Sequence, residues 1–258
     1  MFGQEVWVVA AALVAGAACG FLNTVASSGS AVSLPMLMLA GLDPITANAT
    51  NRIPVLLGSL SATWSFSVKK ALPWGLALKV CIPTSIGAVV GTRLVEQFSK
   101  RDVGIIITAA VLLALVLLFT KVKAALEHPA VRPLRFGLRE VLLFFGVGVW
   151  LGFIVLDGAT YLLMVLTLGV GLSLVPATAV KSVVLVASTS VSMAIFTYHG
   201  EINWTLAILT GIGSIAGGVA GARFTMSPNT RRYIFCLLAS TIFAEVIHLS
   251  VHYVFKTG

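Results

Sequence analysis

Residues 20–54 read GFLNTVASSGSAVSLPMLMLAGLDPITANATNRIP. An apolar run arrives at Asn23 and Thr24 and then meets Ser27, Ser28, Gly29 and Ser30, whose small polar side chains and permissive glycine open the backbone. A helix restarting at Gly29 or Ser30 turns free N–H groups and the positive end of its dipole toward that gap. A short apolar run with Pro35 follows, then the turn Gly41-Leu42-Asp43-Pro44, then a second polar cluster, Asn48, Thr50, Asn51 and Arg52. In lipid an interrupted helix is tolerated only where it is buried or lines a cavity. The stretch therefore predicts a broken membrane helix beside a polar cavity, with close helix packing as the alternative use of its glycines.

The whole composition agrees with a membrane. Of 258 residues, 58% are hydrophobic and only 10% charged, and the mean hydropathy is +1.02, which excludes a water-soluble globule. In a soluble protein the net charge of +8 would suggest nucleic acid. Here the basic residues gather between apolar runs, so lipid explains them and no nucleic-acid partner is expected. Cys19, Cys81 and Cys236 lie far apart and form neither a disulfide framework nor a zinc pattern. Met1 to Glu5 carry no Lys or Arg, so the first apolar run is expected to be structural rather than a cleaved signal.

About 20 apolar residues of helix cross a bilayer. Runs of that kind lie at 7–25, 47–68, 74–95, 103–120, 141–156, 181–198, 204–222 and 233–254, with shorter or interrupted runs at 30–42 and 159–175. The expected fold is an all-α polytopic membrane protein of 8 to 10 helices, two of them short or broken. Residues 121–140 carry Lys121, Lys123, Arg132, Arg135 and Arg139 with Pro129 and Pro133, and read as a basic solvated connector. Alternating the loops puts Lys69, Lys70, the connector, Arg223, Arg231 and Arg232 on one side. By the positive-inside rule that side is cytoplasmic and both termini are outside.

Shifting the chain by 130 positions pairs Gly41-Leu42 with Gly171-Leu172, Ala47 with Ala177, Phe66 with Phe196 and Trp74 with Trp204. It also pairs Gly87, Gly91 and Arg93 with Gly217, Gly221 and Arg223. The chain thus divides into a first repeat, 1–120, the connector, 121–140, and a second repeat, 141–258. Five elements per repeat is an odd number, so the second copy is expected upside down, as in many secondary transporters with sites near the midplane. Duplication for a membrane scaffold is the alternative, and it leaves the polar residues without a task.

In the second half the break falls within 152–160, GFIVLDGAT, and the second polar cluster within Thr178, Lys181 and Ser182. Asn51 aligns with Lys181 and Arg52 with Ser182, so each half supplies one cation. A cation inside the membrane commonly marks a pathway, although both also lie close enough to helix ends to snorkel. Together with amide and hydroxyl donors they suit an oxyanion. The candidate substrate-binding residues are Asn23, Ser28, Gly29, Thr50, Asn51, Arg52, Lys181 and Ser182. Asp157 is either an ion-coupling group for a proton or sodium or a hydrogen-bond acceptor for the neighbouring helix start. Glu245, His248 and His252 share one helical face, as a proton relay or metal patch does, and equally as an interfacial polar stripe does. The GxxxG pairs read as close packing. No Walker loop, GxSxG or HExxH motif is present. No cofactor is expected, and the oligomeric state is not legible.

The order of a Gly/Ser-rich break, a Pro-bearing short helix, G-x-x-P-x-x-A-x-A-T-N, a tryptophan and GxxxG resembles the sulfite exporter TauE/SafE family of membrane permeases. Here those residues are Ser27 to Ser30, Pro35, Gly41 to Pro44, Ala47 to Asn51, Trp74, Gly87 and Gly91. The resemblance implies export of small organosulfur or sulfur oxyanions such as sulfite or sulfoacetate across the bacterial inner membrane. The family's polar segments fall on Ala49-Thr50-Asn51 and, less well, on Ala179 to Ser182, where Lys181 replaces a small polar residue. Two rivals remain: a membrane-embedded enzyme with a metal at Glu245, His248 and His252, and a non-transporting assembly subunit that uses its GxxxG faces.

Overall fold

The computed structural model describes residues 2–95, 97–99, 102, 134, 136–156 and 158–227. The expected spans at 103–120 and 233–254, most of the connector, Asp157, and the Glu245, His248 and His252 group lie outside the described residues. The rest is helical: α1 (Phe2–Ala26), α2 (Ser30–Leu39), α3 (Pro44–Thr50), α4 (Arg52–Val68), α5 (Trp74–Val95), α6 (Leu138–Phe153), α7 (Gly158–Met164), α8 (Leu174–Tyr198) and α9 (Trp204–Thr225). Trp7–Ala26, α5, α8 and α9 are each long and apolar enough to cross a membrane. The protein is an all-α polytopic membrane protein.

Local chemistry explains the boundaries. The Asp43 side chain caps α3 by accepting from the Ile45 and Thr46 amides, ahead of Pro44 in the first turn. The single apolar run 47–68 becomes α3 and α4 because Pro54 has no N–H to give the Thr50 carbonyl, which loosens the helix around Asn51. Its counterpart α8 has Val184 at the matching position and runs unbroken. Helix α6 begins three residues before the expected boundary, since Glu140 accepts from the Gly137 amide. Helix α7 passes into a π turn, Val165–Gly169, which Gly171 ends.

The same turn geometry recurs 130 residues apart. Gly41 and Gly171 both take the left-handed backbone, with φ of 96° and 90°, after α2 and after the π turn. Lys70 and Gly200 do so as well. After α4 the amides of Lys69, Lys70 and Ala71 bond the carbonyls of Ser65, Ser67 and Phe66, and after α8 those of His199, Gly200 and Glu201 bond Ile195, Thr197 and Phe196.

Glycine fixes how the helices meet. On α9, a Cβ at Gly213, Gly217 or Gly221 would strike the backbone of Leu13, Ala17 or Phe21 of α1. On α5, a Cβ at Gly87 or Gly91 would strike the backbone of Phe145 or Val149 of α6. Partners rise together in number, so α1 runs parallel to α9 and α5 parallel to α6. Gly58 and Gly218 bring α4 alongside α9 in the same sense, with Leu57 beside Gly211. One core cluster joins the end of α4 (Ala62, Phe66) to the starts of α5 (Ala77, Val80) and α8 (Val180, Val184). A second joins the start of α4 (Ile53) to the ends of α5 (Val95) and α8 (Phe196). Helix α4 thus opposes α5 and α8, and α1 opposes α6. The ends of α4 and α9 and the start of α6 share one face of the bundle, which gathers Lys69, Lys70, Arg139 and Arg223. Trp74 and Trp204, half-exposed at the starts of α5 and α9, stand at opposite faces, as interfacial aromatics do. Between those faces α5 turns Leu78, Ile82 and Ile86 outward, and α9 turns Ile208, Ile212 and Ile215 outward.

Candidate functional site

Two breaks in the helices carry the polar residues. At the first, α1 stops at Ala26, and Ser27 takes a left-handed backbone, φ 60°, which a non-glycine residue adopts only with strain. Gly29 then lets α2 start against α1, since a Cβ there would meet the Cys19 carbonyl and the Asn23 side chain. Ser33 donates to Asn51 Oδ1 at 2.6 Å, and Asn51 Nδ2 donates to Ser30 Oγ at 3.0 Å. Ser33 Oγ also lies 3.2 Å from Cys19 Sγ. From the opposite half Lys181 crosses to this break. Its Nζ donates to the Asn23 and Thr24 carbonyls at 2.8 and 3.0 Å and to Ser27 Oγ at 2.8 Å.

At the second break α6 ends at Phe153, Ile154 takes an extended backbone, and 154–156 leave the helix before α7. Arg52, again from the opposite half, donates from Nη1 to the Leu151 carbonyl and from Nη2 to the Gly152 carbonyl at 2.8 Å. Its guanidinium lies 5.3 Å from the Phe196 ring centre. Asn48 holds the extended segment on both sides, donating to the Phe153 carbonyl at 3.1 Å and accepting from the Val155 amide. Thr92 reaches the Gly152 carbonyl at 3.1 Å and Ser192 Oγ at 2.8 Å. Arg52 Nε and Thr160 Oγ1 are buried without a hydrogen-bond partner among the described residues.

Neither cation snorkels. Arg52 is 1% exposed and Lys181 0%. Among the described residues neither meets a carboxylate, and the acceptors that each does meet are neutral. Nor do they converge on one point. Lys181 and Phe196, which stacks under Arg52, are separated by about 22 Å of α8, so each cation serves one break at its own depth.

Of the other expected residues, Asn23, Ser28, Gly29 and Asn51 gather at the first break, all buried or packed there. Thr50 instead accepts the Asn203 amide at 3.0 Å and so fastens the start of α9. Ser182 bonds the Thr178 carbonyl in its own helix. Sequence reasoning passed over Ser30, Ser33 and Asn48 as individual ligands, although all three lie inside the quoted stretch. It had no signal for Thr92 and Ser192, whose pairing joins positions a hundred residues apart.

Comparison with known proteins agrees with this architecture. The family described as Sulfite exporter TauE/SafE matches residues 12–246. A "Probable membrane transporter protein ORF9" of Sinorhizobium sp is 28% identical over 227 residues, 84% of this chain and 83% of that one. "Probable membrane transporter protein YfcA" of Escherichia coli (strain K12) is 27% identical over 233 residues, 89% and 86% of the two chains. A "Probable membrane transporter protein" of Haemophilus influenzae is 26% identical over 214 residues, 82% and 83%. No solved structure matches the chain significantly. A polytopic bundle with buried cations at two helix breaks, matched by the family over nearly its full length, leads to one conclusion: the chain belongs to the sulfite exporter TauE/SafE family and is a membrane transporter, not an enzyme.

Proposed function

We propose that the protein is a secondary transporter of small sulfur oxyanions, such as sulfite or sulfoacetate, working as an ion-coupled exporter in the bacterial inner membrane. The observation that carries this is the pair of fully buried cations, Arg52 and Lys181, without a carboxylate partner among the described residues. Burying a charge without a counter-charge is expensive, and such residues inside a membrane mark functional sites. Among the described residues only neutral acceptors hold the cations, which leaves their positive charge uncompensated there and open to an anion. Arg52 keeps one buried N–H without an acceptor. Hydroxyl and amide groups of Ser28, Ser30 and Asn51 supply neutral donors along the first break, with Asn23, Gly29, Thr50 and Ser182 shaping the surrounding helix ends. A small oxyanion would pass between the breaks.

The recurrent caps and the opposed senses of α1 and α6 support two inverted repeats, 1–120 and 141–258, joined by 121–140. The clustering of Lys69, Lys70, Arg139 and Arg223 supports that face as cytoplasmic and the termini as outside. Asp157, between Leu156 and Gly158 at the second break, is the proposed proton or sodium site. Thermal unfolding of purified protein with a panel of anions tests the substrate class. Sulfite or sulfoacetate should raise the melting temperature with concentration, while acetate and phosphate should not. Equal indifference to every anion would remove the basis for the assignment.

A further inference from the structure

The carbonyls that the two cations hold are equivalent. Leu151 and Gly152 stand 128 residues after Asn23 and Thr24. The same shift carries the α1 partners of Gly217 and Gly221, Ala17 and Phe21, onto the α6 partners of Gly87 and Gly91, Phe145 and Val149. The cations themselves are not equivalent, since Arg52 aligns with Ser182 and Lys181 with Asn51. Different residues thus make the same grip twice. Each grips the last carbonyls of an interrupted helix, which have no intrahelical partner and form the negative end of its dipole. Each also comes from the opposite half, so opening either break requires parting a bond between halves. Because α4 and α8 run in opposite senses, the grips lie toward opposite faces of the membrane.

We propose that Lys181 and Arg52 are reciprocal latches, one on each side of the midplane. Each pins the broken helix of the other half, and an oxyanion arriving at a break draws the cation off its carbonyls and frees that side alone. This step rests on the anion reading above. An anionic acceptor outcompetes a neutral carbonyl for a charged donor, because such hydrogen bonds are roughly twice as strong. Each residue thus holds a helix end in the empty state and meets the anion itself once that end is released.

Hydrogen–deuterium exchange on the full chain in lipid nanodiscs tests the latches. Lys181→Met should speed exchange across residues 20–28 by about tenfold and leave 148–156 at the wild-type rate, while Arg52→Met should do the reverse. Arg52→Lys, which trades a two-carbonyl fork for one ammonium and keeps the charge, should loosen 148–156 alone, and it decides the matter if a methionine variant folds poorly. Loosening confined to the substituted residue's own helix, or equal at both breaks, overturns the latches. In wild type, sulfite should speed exchange at a break, and the effect at 20–28 should vanish in Lys181→Met. Cross-half loosening without any sulfite response would keep the latches and overturn the release step. Sulfite flux, measured separately, then judges the anion reading on its own.

Discussion

Replacing Gly148 by alanine should destabilise the protein, and the same change two residues earlier, at Gly146, should not. Both glycines lie in α6, so the intrinsic gain from alanine in a helix, about 1 kcal/mol, applies to each. A Cβ at Gly146 meets nothing within 4 Å. A Cβ at Gly148 falls 2.8 Å from the Thr84 carbonyl carbon and Cα, where ordinary contact begins near 3.4 Å. Backbone cannot turn aside as a long side chain can, so α5 and α6 must part by more than half an ångström. A gap of that size forfeits about a quarter to a half of each contact's attraction along the interface, and overpacking of this kind costs about 1–3 kcal/mol. The alanine gain cancels between the two variants, so they should differ by the overpacking cost alone, about 1–3 kcal/mol, with Gly146→Ala at or slightly above wild type. Equilibrium unfolding in bicelles measures both on one scale. If Gly148→Ala proves as stable as Gly146→Ala, the close approach of α5 and α6 is wrong, and with it the seat of the Leu151 and Gly152 carbonyls.

Lys70 holds a left-handed backbone, φ 54°, where the second half has Gly200 at φ 72°, so Lys70→Gly should raise stability by about 1 kcal/mol. A lower melting temperature would contradict that. Asn48→Leu orphans the Phe153 carbonyl and the Val155 amide and should lose about 1–3 kcal/mol for each orphaned group. An unchanged unfolding midpoint would show that Asn48 does not hold the second break. Thr50→Val leaves the Asn203 amide without its acceptor and should cost about 1–3 kcal/mol in the same titration, without altering which anions stabilise the protein.

Much of the architecture is legible because it is written in local pattern. Apolar length gives the four long described spans, Ser27 to Ser30 give the first break, and the GxxxG pairs give close packing on α5 and α9, though not the helices that they meet. The split of 47–68 was also within reach, since Pro54 inside that run has no N–H for the Thr50 carbonyl, although Pro83 leaves α5 unsplit. The site was legible only in its parts. Burial was only one of two readings open for Arg52 and Lys181, since both lie near helix ends; what settles it is their partners, backbone carbonyls in the opposite half, and backbone acceptors leave no mark in a sequence. Alignment placed the two cations near equivalent positions and so suggested convergence. The opposed senses of α4 and α8 place them at different depths instead. Thr50 shows the converse limit: a polar residue in the right cluster faces the α9 start because of its helical phase.

Sulfite uptake into proteoliposomes made from the purified chain tests the central claim most directly. The wild type should give saturable uptake well above that of empty liposomes. Arg52→Met and Lys181→Met should each lower the rate by about tenfold or more, the size of one lost charged interaction, and Gly146→Ala should transport as wild type. Wild-type uptake of sulfite and sulfoacetate no faster than leak, or undiminished uptake by both methionine variants, would contradict the account.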